Sequence, residues 1–372
     1  MSLVLNKDDF TPFYLEDLYN KYENQYKYNF SSACMPIKSL EEVFQTNELK
    51  EIFAAIAKLK LDYTYALPHE NLTSALKEKL YPKNNVFITT TGASEAIYLT
   101  FKALFQADDA IIVQKPIYQS LYQVAQDAGI EVIDWHLKNN SWDFHELEYL
   151  LKQNPKIKAL VINNPNNPTG FAFTDTEIKE LGKILDGRLL IADEVFQPLA
   201  LNNCSNIAQL IENSISICDL SKSFSMPGLR LGWLVIKQKK QQEKIIAYKN
   251  YLSLRTNIVS EFLASKVLEK SSQIIANNKN ILKKNIETLF ALNKEDLFFD
   301  LEIKQEKISG LTIFPKIKSK FKKLNFDELL EKHKIFLAFG NNFGLEYQDH
   351  CRLGLGNIAD VQQILKFAKI SL

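Results

Sequence analysis

The sequence predicts an α/β protein: a large unit built on a mostly parallel sheet sandwiched by helices, plus a smaller α+β unit. Three observations predict it. From about residue 85 to residue 236, apolar β-branched runs alternate with amphipathic helical patterns. Beyond 236 the alternation stops, and a long lysine-rich helical pattern leads into a compact mixed segment. Finally, 46% hydrophobic and 24% charged residues over 372 positions is the balance of a globular chain with ample core material.

Taken in order, residues 86–89 read as a strand, and Gly92-Ala93-Ser94-Glu95 opens an amphipathic helix that runs through Leu104. A strand over 110–113 leads to a helix over about 118–128, and a strand over 131–135 to a helix over 144–152. The pattern repeats with a strand at 159–162 and a helix at 175–185, followed by strands at 189–192 and 215–218 and an apolar run at 232–236. Strands joined by helices of this length run parallel, because each helix carries the chain back to the end of the sheet at which the previous strand began. Ligands of such sheets gather at the carboxyl ends of the strands. A helical stretch over about 241–294, broken near 253–257, and a strand over 308–313 complete the reading. The expected division is 46–250 for the large unit, with 1–45 and 251–372 together forming the small one.

Composition narrows the function. The net charge is +1 and the lysines are scattered, so no basic face is offered to nucleic acid or anionic lipid. Cys34, Cys204, Cys218 and Cys351 show no metal-binding spacing, which predicts no metal site and a reducing compartment. No stretch reaches the length of a membrane span, and a start carrying Lys7, Asp8 and Asp9 is no signal peptide, so a cytoplasmic enzyme is expected. Arginine occurs only at Arg188, Arg230, Arg255 and Arg352, while lysine supplies the other 41 basic residues. Where generic positive charge is met by lysine, a retained arginine points to a need for its planar, two-pronged donor.

Four motifs follow strands or close the chain. In Asp219-Leu220-Ser221-Lys222-Ser223 a lysine stands at a strand mouth with Arg230 eight positions on. An amine and a guanidinium so placed can bond the carbonyl and clamp the phosphate of a phosphorylated aldehyde, although a solvated Ser/Lys turn would look the same locally. Asn163-Asn164-Pro165-Asn166-Asn167-Pro168-Thr169-Gly170 is a rigid turn able to present an amide at a set angle. Asp193, at the end of its strand, is either a helix cap or a carboxylate for a ring nitrogen. Near the end stands Cys351-Arg352-Leu353-Gly354-Leu355-Gly356.

In this order and spacing the motifs resemble the class I/II aminotransferases among the fold type I pyridoxal-phosphate enzymes. The resemblance covers about residues 60–236 and the Arg352 motif. It implies that Lys222 is the Schiff-base lysine, Asp193 the pyridinium partner and Asn167 the donor to the ring oxygen. It further implies that Tyr118 stacks on the ring, that Gly92, Ala93, Ser94, Ser221 and Arg230 serve the phosphate, and that Arg352 forks the substrate carboxylate beside Asn167. Tyr63, with Tyr65 as a competing register, is similar to the tyrosine that reaches a partner subunit's phosphate, so a homodimer is implied. Two positions depart from the family. Phe196 replaces a customary tyrosine, and Asp219 stands where a serine or threonine commonly meets the phosphate. The resemblance therefore implies an aminotransferase acting on an amino acid and a 2-oxo acid. Phe196 keeps a second outcome open, a decarboxylase similar to threonine-phosphate decarboxylases or a cyclase similar to capreomycidine synthase. A binding module that kept the fold without the chemistry is disfavoured by Lys222 and Asp193.

Overall fold

A computed structural model of the chain describes residues 11–22, 25–63, 67–82, 86–291, 297–321 and 326–357. The N-terminal part holds helix α1 (Tyr14–Tyr22), strand β1 (Tyr28–Asn29) and helices α2 (Thr46–Lys58) and α3 (Glu70–Lys79). The alternating region follows: β2 (Val86–Thr90), α4 (Gly92–Leu104), β3 (Ala110–Lys115), α5 (Ser120–Asp127), β4 (Glu131–Lys138), β5 (Ser141–Trp142) and α6 (Phe144–Gln153). It continues through β6 (Ile157–Asn163), α7 (Asp175–Ile184), β7 (Leu189–Asp193), α8 (Ile207–Leu210), β8 (Ser214–Asp219) and β9 (Gly232–Ile236).

These strands form one eight-stranded sheet in the order β2-β9-β8-β7-β6-β3-β4-β5. The pairs β4/β3, β3/β6, β6/β7 and β7/β8 are parallel, while β8/β9, β9/β2 and β4/β5 are antiparallel. The central strands are apolar throughout because both faces are covered. Along β6 the side chains alternate between two cores: Leu160 and Ile162 join one with Trp135 and Leu353, while Ala159 and Val161 join the other with Ile97 and Ile217. Local chemistry sets the covering helices. Thr174 and Glu177 form a capping box on α7, and Asp143 caps α6 by accepting from His145 N at 2.9 Å.

The chain then forms α9 (Lys239–Leu252), α10 (Ile258–Glu269) and α11 (Ser271–Phe290). The expected break at 253–257 is present, with Asn257 capping α10 through its side chain. A second break, at Lys270, was not expected, although Ser271 and Ser272 beside it are residue types that favour helix starts. The last elements are β10 (Thr312–Ile313), α12 (Phe326–His333), β11 (Ile335–Phe336), β12 (Ala338–Phe339) and β13 (Cys351–Gly354). The strand expected over 308–313 is thus confined to Thr312 and Ile313. Ser309 N and Gly310 N both donate to Gly170 O at 2.8 Å, which bends this segment onto the loop after β6. β10, β13 and β12 form an antiparallel sheet, and β1 pairs with β11. Among the described residues no helix is long and apolar enough to cross a membrane.

Candidate active site

From β3 the sheet grows one way through β4 and the other way through β6, β7 and β8, so the strand order reverses between the parallel β3 and β6. A crevice forms at the carboxyl ends of strands at such a point. Here it is a cavity of about 690 Å³ lined by Ser94, Tyr118, Asn167, Asp193, Lys222 and Arg352 among others.

The asparagine loop after β6 is held by its own amides. Asn163 Oδ1 accepts from Asn167 N at 2.6 Å, and Asn163 Nδ2 donates to Asp193 O at 2.9 Å. Asn166 Nδ2 donates to Pro116 O at 3.0 Å, while its oxygen accepts from Thr169 N and Oγ1. Asn164 Oδ1 accepts from Phe173 N at 2.9 Å. Three asparagines therefore build the loop, and the fourth, Asn167, turns to the cavity. Its Oδ1 accepts from Arg352 Nη1 at 3.1 Å, which leaves its NH2 group as the free donor.

Lys222 stands on a loop pinned from both sides: Ser223 Oγ donates to Val195 O at 2.6 Å, and Asn278 Nδ2 donates to Ser223 O at 3.0 Å. Its Nζ donates to Cys34 Sγ at 3.2 Å. Burial works to depress this ammonium, but the neighbouring Cys34 sulfur and Asp219 carboxylate reverse the sign and hold it above the ordinary lysine value. Ser221, expected to face a phosphate, instead gives its hydroxyl proton to Asp219 Oδ1 at 2.6 Å.

Asp193 is 4% exposed, and its carboxylate accepts from Val195 N at 3.1 Å. Burial, reinforced by the charge of Asp219, raises it from 3.8 to about 7 against the opposing pull of Val195 N and Lys222. The folded protein without a ligand thus binds a proton here that the unfolded chain would have released. Stability is fully present at acidic pH and should fall as pH rises through the window from about 4 to about 7. Thermal melts of ligand-free Asp193→Asn should show a shallower decline across that window. Glu194, pushed to about 8 by burial, keeps part of the slope in the variant. A variant melting with the wild-type pH profile would contradict this.

Arg352 is 2% exposed on β13, with Nη1 on Asn167 and Nη2 donating to Tyr19 Oη at 3.2 Å. Its buried Nε has no hydrogen-bond partner among the described residues. The strand is positioned by the segment after β1: Ser31 Oγ donates to Arg352 O at 2.6 Å, and a Cβ on Gly354 would lie 2.0 Å from Ser32 O. Only glycine admits that approach. Tyr118 donates to Glu16 Oε1 at 2.8 Å and packs its ring 5.0 Å from that of Phe13. Burial, then the Glu16 charge, raises the Tyr118 hydroxyl well above its usual value. At the opposite end, Gly92 (φ +74°) starts α4 with the Arg230 guanidinium so close that a Cβ would lie 2.4 Å from Nη2.

Of the expected positions, Ala93, Ser94, Tyr118, Asn167, Asp193, Phe196, Ser221, Lys222, Arg230 and Arg352 line the one cavity, with Gly92 at its edge. Tyr63 does not. It is 79% exposed and lies in a separate recess with Thr91, Arg255 and Asn257. Its competing register, Tyr65, lies outside the described residues. Cys34, Tyr19 and Glu16 line the cavity without any signal in the sequence, because no local motif surrounds them. Among the described residues no group of three or more His, Cys, Asp or Glu side chains could hold a metal ion.

Comparison with known proteins gives the family and the fold. The chain matches the family model described as aminotransferase class I and II over residues 24–367. It is 27% identical over 300 residues to a capreomycidine synthase of Streptomyces vinaceus, covering 78% of this chain and 75% of the relative. It is 25% identical over 321 residues to an aspartate aminotransferase of Bacillus subtilis (strain 168), covering 79% of this chain and 80% of the relative. Among solved structures, a PLP-dependent aminotransferase from Streptococcus suis 89-1591 shares the fold with a TM-score of 0.86 at 24% identity, over 98% of this chain and 100% of that one.

Proposed function

The chain belongs to the class I and II aminotransferase family, pyridoxal-phosphate enzymes of fold type I, and from that premise we propose that Lys222 carries the cofactor covalently in the transfer of an amino group between an amino acid and a 2-oxo acid. The observation that carries this reading is the convergence of Lys222, Asp193, Asn167, Arg352 and the N-terminus of α4 on one cavity.

The residues fit the cofactor. Asp193 is a buried carboxylate that, among the described residues, has no cationic partner at hydrogen-bond distance, which suits a protonated ring nitrogen. The first-turn amides of α4 with Arg230 beside Gly92 suit a phosphate. The unpartnered Nε of Arg352 leaves a donor for a carboxylate. When bound, pyridoxal phosphate supplies a carbonyl for an amine and a ring that accepts electrons. Asp193 holds the proton on the ring nitrogen, and Asn167 directs its free NH2 to the ring oxygen. Tyr118 supplies an aromatic face, and Arg352 orients the substrate carboxylate. The Lys222 amine, in the same cavity, would be the base that takes the proton from the substrate α-carbon. Borohydride treatment of the loaded protein should fix a single label, mapped to Lys222 by peptide mass. A label on another lysine would refute the assignment.

A second reading, decarboxylation or cyclisation, is supported by Phe196 and by the likeness to a capreomycidine synthase. Consumption of the amino acid only when a 2-oxo acid is supplied, one for one, supports transamination; consumption without it supports the rival. Phe196 also has a spectral consequence. A hydroxyl at this position would donate to the ring oxygen and favour loss of the neighbouring proton. Phe196→Tyr should therefore move the pH-dependent change in visible absorbance of the loaded protein to lower pH. A shift upward, or none, would remove Phe196 from the ring.

The same reading makes the enzyme a cytoplasmic homodimer in which Tyr63 reaches the partner's cofactor phosphate. Support comes from Tyr63 and Leu61, both exposed beside Arg255, and from the nearby exposed Tyr251 and Leu254. Free Cys34, Cys204, Cys218 and Cys351 suit a reducing compartment. Tyr63→Phe should speed cofactor loss several-fold, in line with one lost hydrogen bond of about 1 kcal/mol, while the sedimenting mass stays that of a dimer. A monomer that retains cofactor fully would end the proposal.

A further inference from the structure

Asp219 ends β8 three residues before Lys222, and its carboxylate is buried. Oδ1 accepts from Ser221 N at 2.9 Å and from Ser221 Oγ at 2.6 Å, which sets the orientation of the group. Oδ2 consequently faces the start of α4 and accepts from Ala93 N at 3.4 Å. That amide is one of the first-turn donors that a helix leaves unpaired, and the Arg230 guanidinium lies beside the preceding residue, Gly92. A carboxylate therefore already stands in the place built for an anion.

Among the described residues the charged and titratable groups around Asp219 are few. Lys222 and Cys218 lie on its own segment, Asp193 comes from β7, and Arg230 from the loop before β9. On α4 the nearest carboxylate, Glu95, is occupied by Thr91 N and the Lys249 ammonium. A phosphate dianion here would add two negative charges to that of Asp219. Facing them are Arg230, Lys222 and a helix terminus worth about half a positive charge. Two bare acceptor oxygens at hydrogen-bond range repel each other. A single proton between them converts the repulsion into a short, charge-assisted hydrogen bond.

We propose that Asp219 makes this protein bind its cofactor as the phosphate monoanion, with one proton shared between Oδ2 and a phosphate oxygen. The inference rests on the reading of α4 and Arg230 as the phosphate site. A free phosphate monoester loses its second proton near pH 6, so above that pH binding takes up a proton. Cofactor retention then weakens with rising pH, by up to about tenfold per unit.

The test is the phosphorus NMR spectrum of the cofactor-loaded protein from about pH 6 to about pH 9, for wild type, Asp219→Asn and Asp219→Ser. Asparagine keeps an oxygen for Ser221 and presents an NH2 to the phosphate, and serine supplies a hydroxyl. In wild type the bound phosphate should resonate as a monoanion, or titrate within this range, while both variants hold a dianion throughout. Equilibrium dialysis with pyridoxal phosphate should show the wild-type dissociation constant rising more steeply with pH than the variants', the gap approaching tenfold over one unit. Both variants also take the Asp219 charge away from Lys222 and Asp193, so the phosphorus signal, which reports the phosphate alone, assigns the difference. The wild-type phosphorus series decides the matter even if a variant fails to fold. A pH-independent dianion in wild type would overturn the inference and leave the site reading intact. A wild-type protein that binds no cofactor at any pH would overturn both.

Discussion

Lys222→Ala should lower turnover by about four orders of magnitude, the upper end of what a positioned general base supplies. The side chain is a single amine reaching into the cavity, and among the described residues it hydrogen-bonds Cys34 Sγ alone. Its removal leaves the loop intact, because Ser223 and Asn278 pin that loop through groups other than the lysine. The variant should therefore fold, melt within a few degrees of wild type, and still take up pyridoxal phosphate without a borohydride-stable link. Phosphate and ring contacts remain in place at α4, Arg230 and Asp193. Single-turnover assays with excess enzyme would measure the loss. A variant retaining a tenth of wild-type turnover would show that another base moves the α-proton.

Arg352→Lys should cost about 1.5–3 kcal/mol in catalytic efficiency, the range for a hydrogen bond to a charged group, or roughly ten- to a hundredfold. The guanidinium binds Asn167 and Tyr19 at once and keeps Nε free, an arrangement of donors in one plane. A lysine keeps the charge but offers a single point of contact, so it cannot serve Asn167, Tyr19 and a carboxylate together. The resting visible spectrum is not the readout, because Arg352 also orients Asn167, whose amide faces the ring oxygen. Efficiency is the right readout, since a carboxylate is gripped in both the bound and the transition state. Unchanged efficiency with every amino acid tried would take Arg352 out of the site.

Much of this molecule was legible along the chain. The continuous apolar runs marked β6, β7 and β8, and each strand ends within a residue or two of where its run stops. The helix expected from Gly92 to Leu104 has those bounds. Lys222, Asp193 and Asn167 announced themselves because each belongs to a short motif just after a strand, where geometry is set by neighbours in sequence. The break at Asn257 was visible for the same reason, a side chain capping the helix it begins.

Other features depend on parts of the chain far apart, and no local pattern announces them. Cys34 meets Lys222 across 188 positions, and Tyr19 meets Arg352 across 333. The pairing of Ser31 and Ser32 against β13 brings both about, through an approach that only Gly354 tolerates. The strand expected over 308–313 was shortened by hydrogen bonds to Gly170, some 140 residues earlier. Asp219 could be seen in the sequence as out of place, but not where its second oxygen points. Backbone preference and hydrophobic period act over a few residues and so determined the sheet, its helices and the motif positions. Which side chains share the cavity was decided only by packing, because contacts between distant segments follow from the fold as a whole.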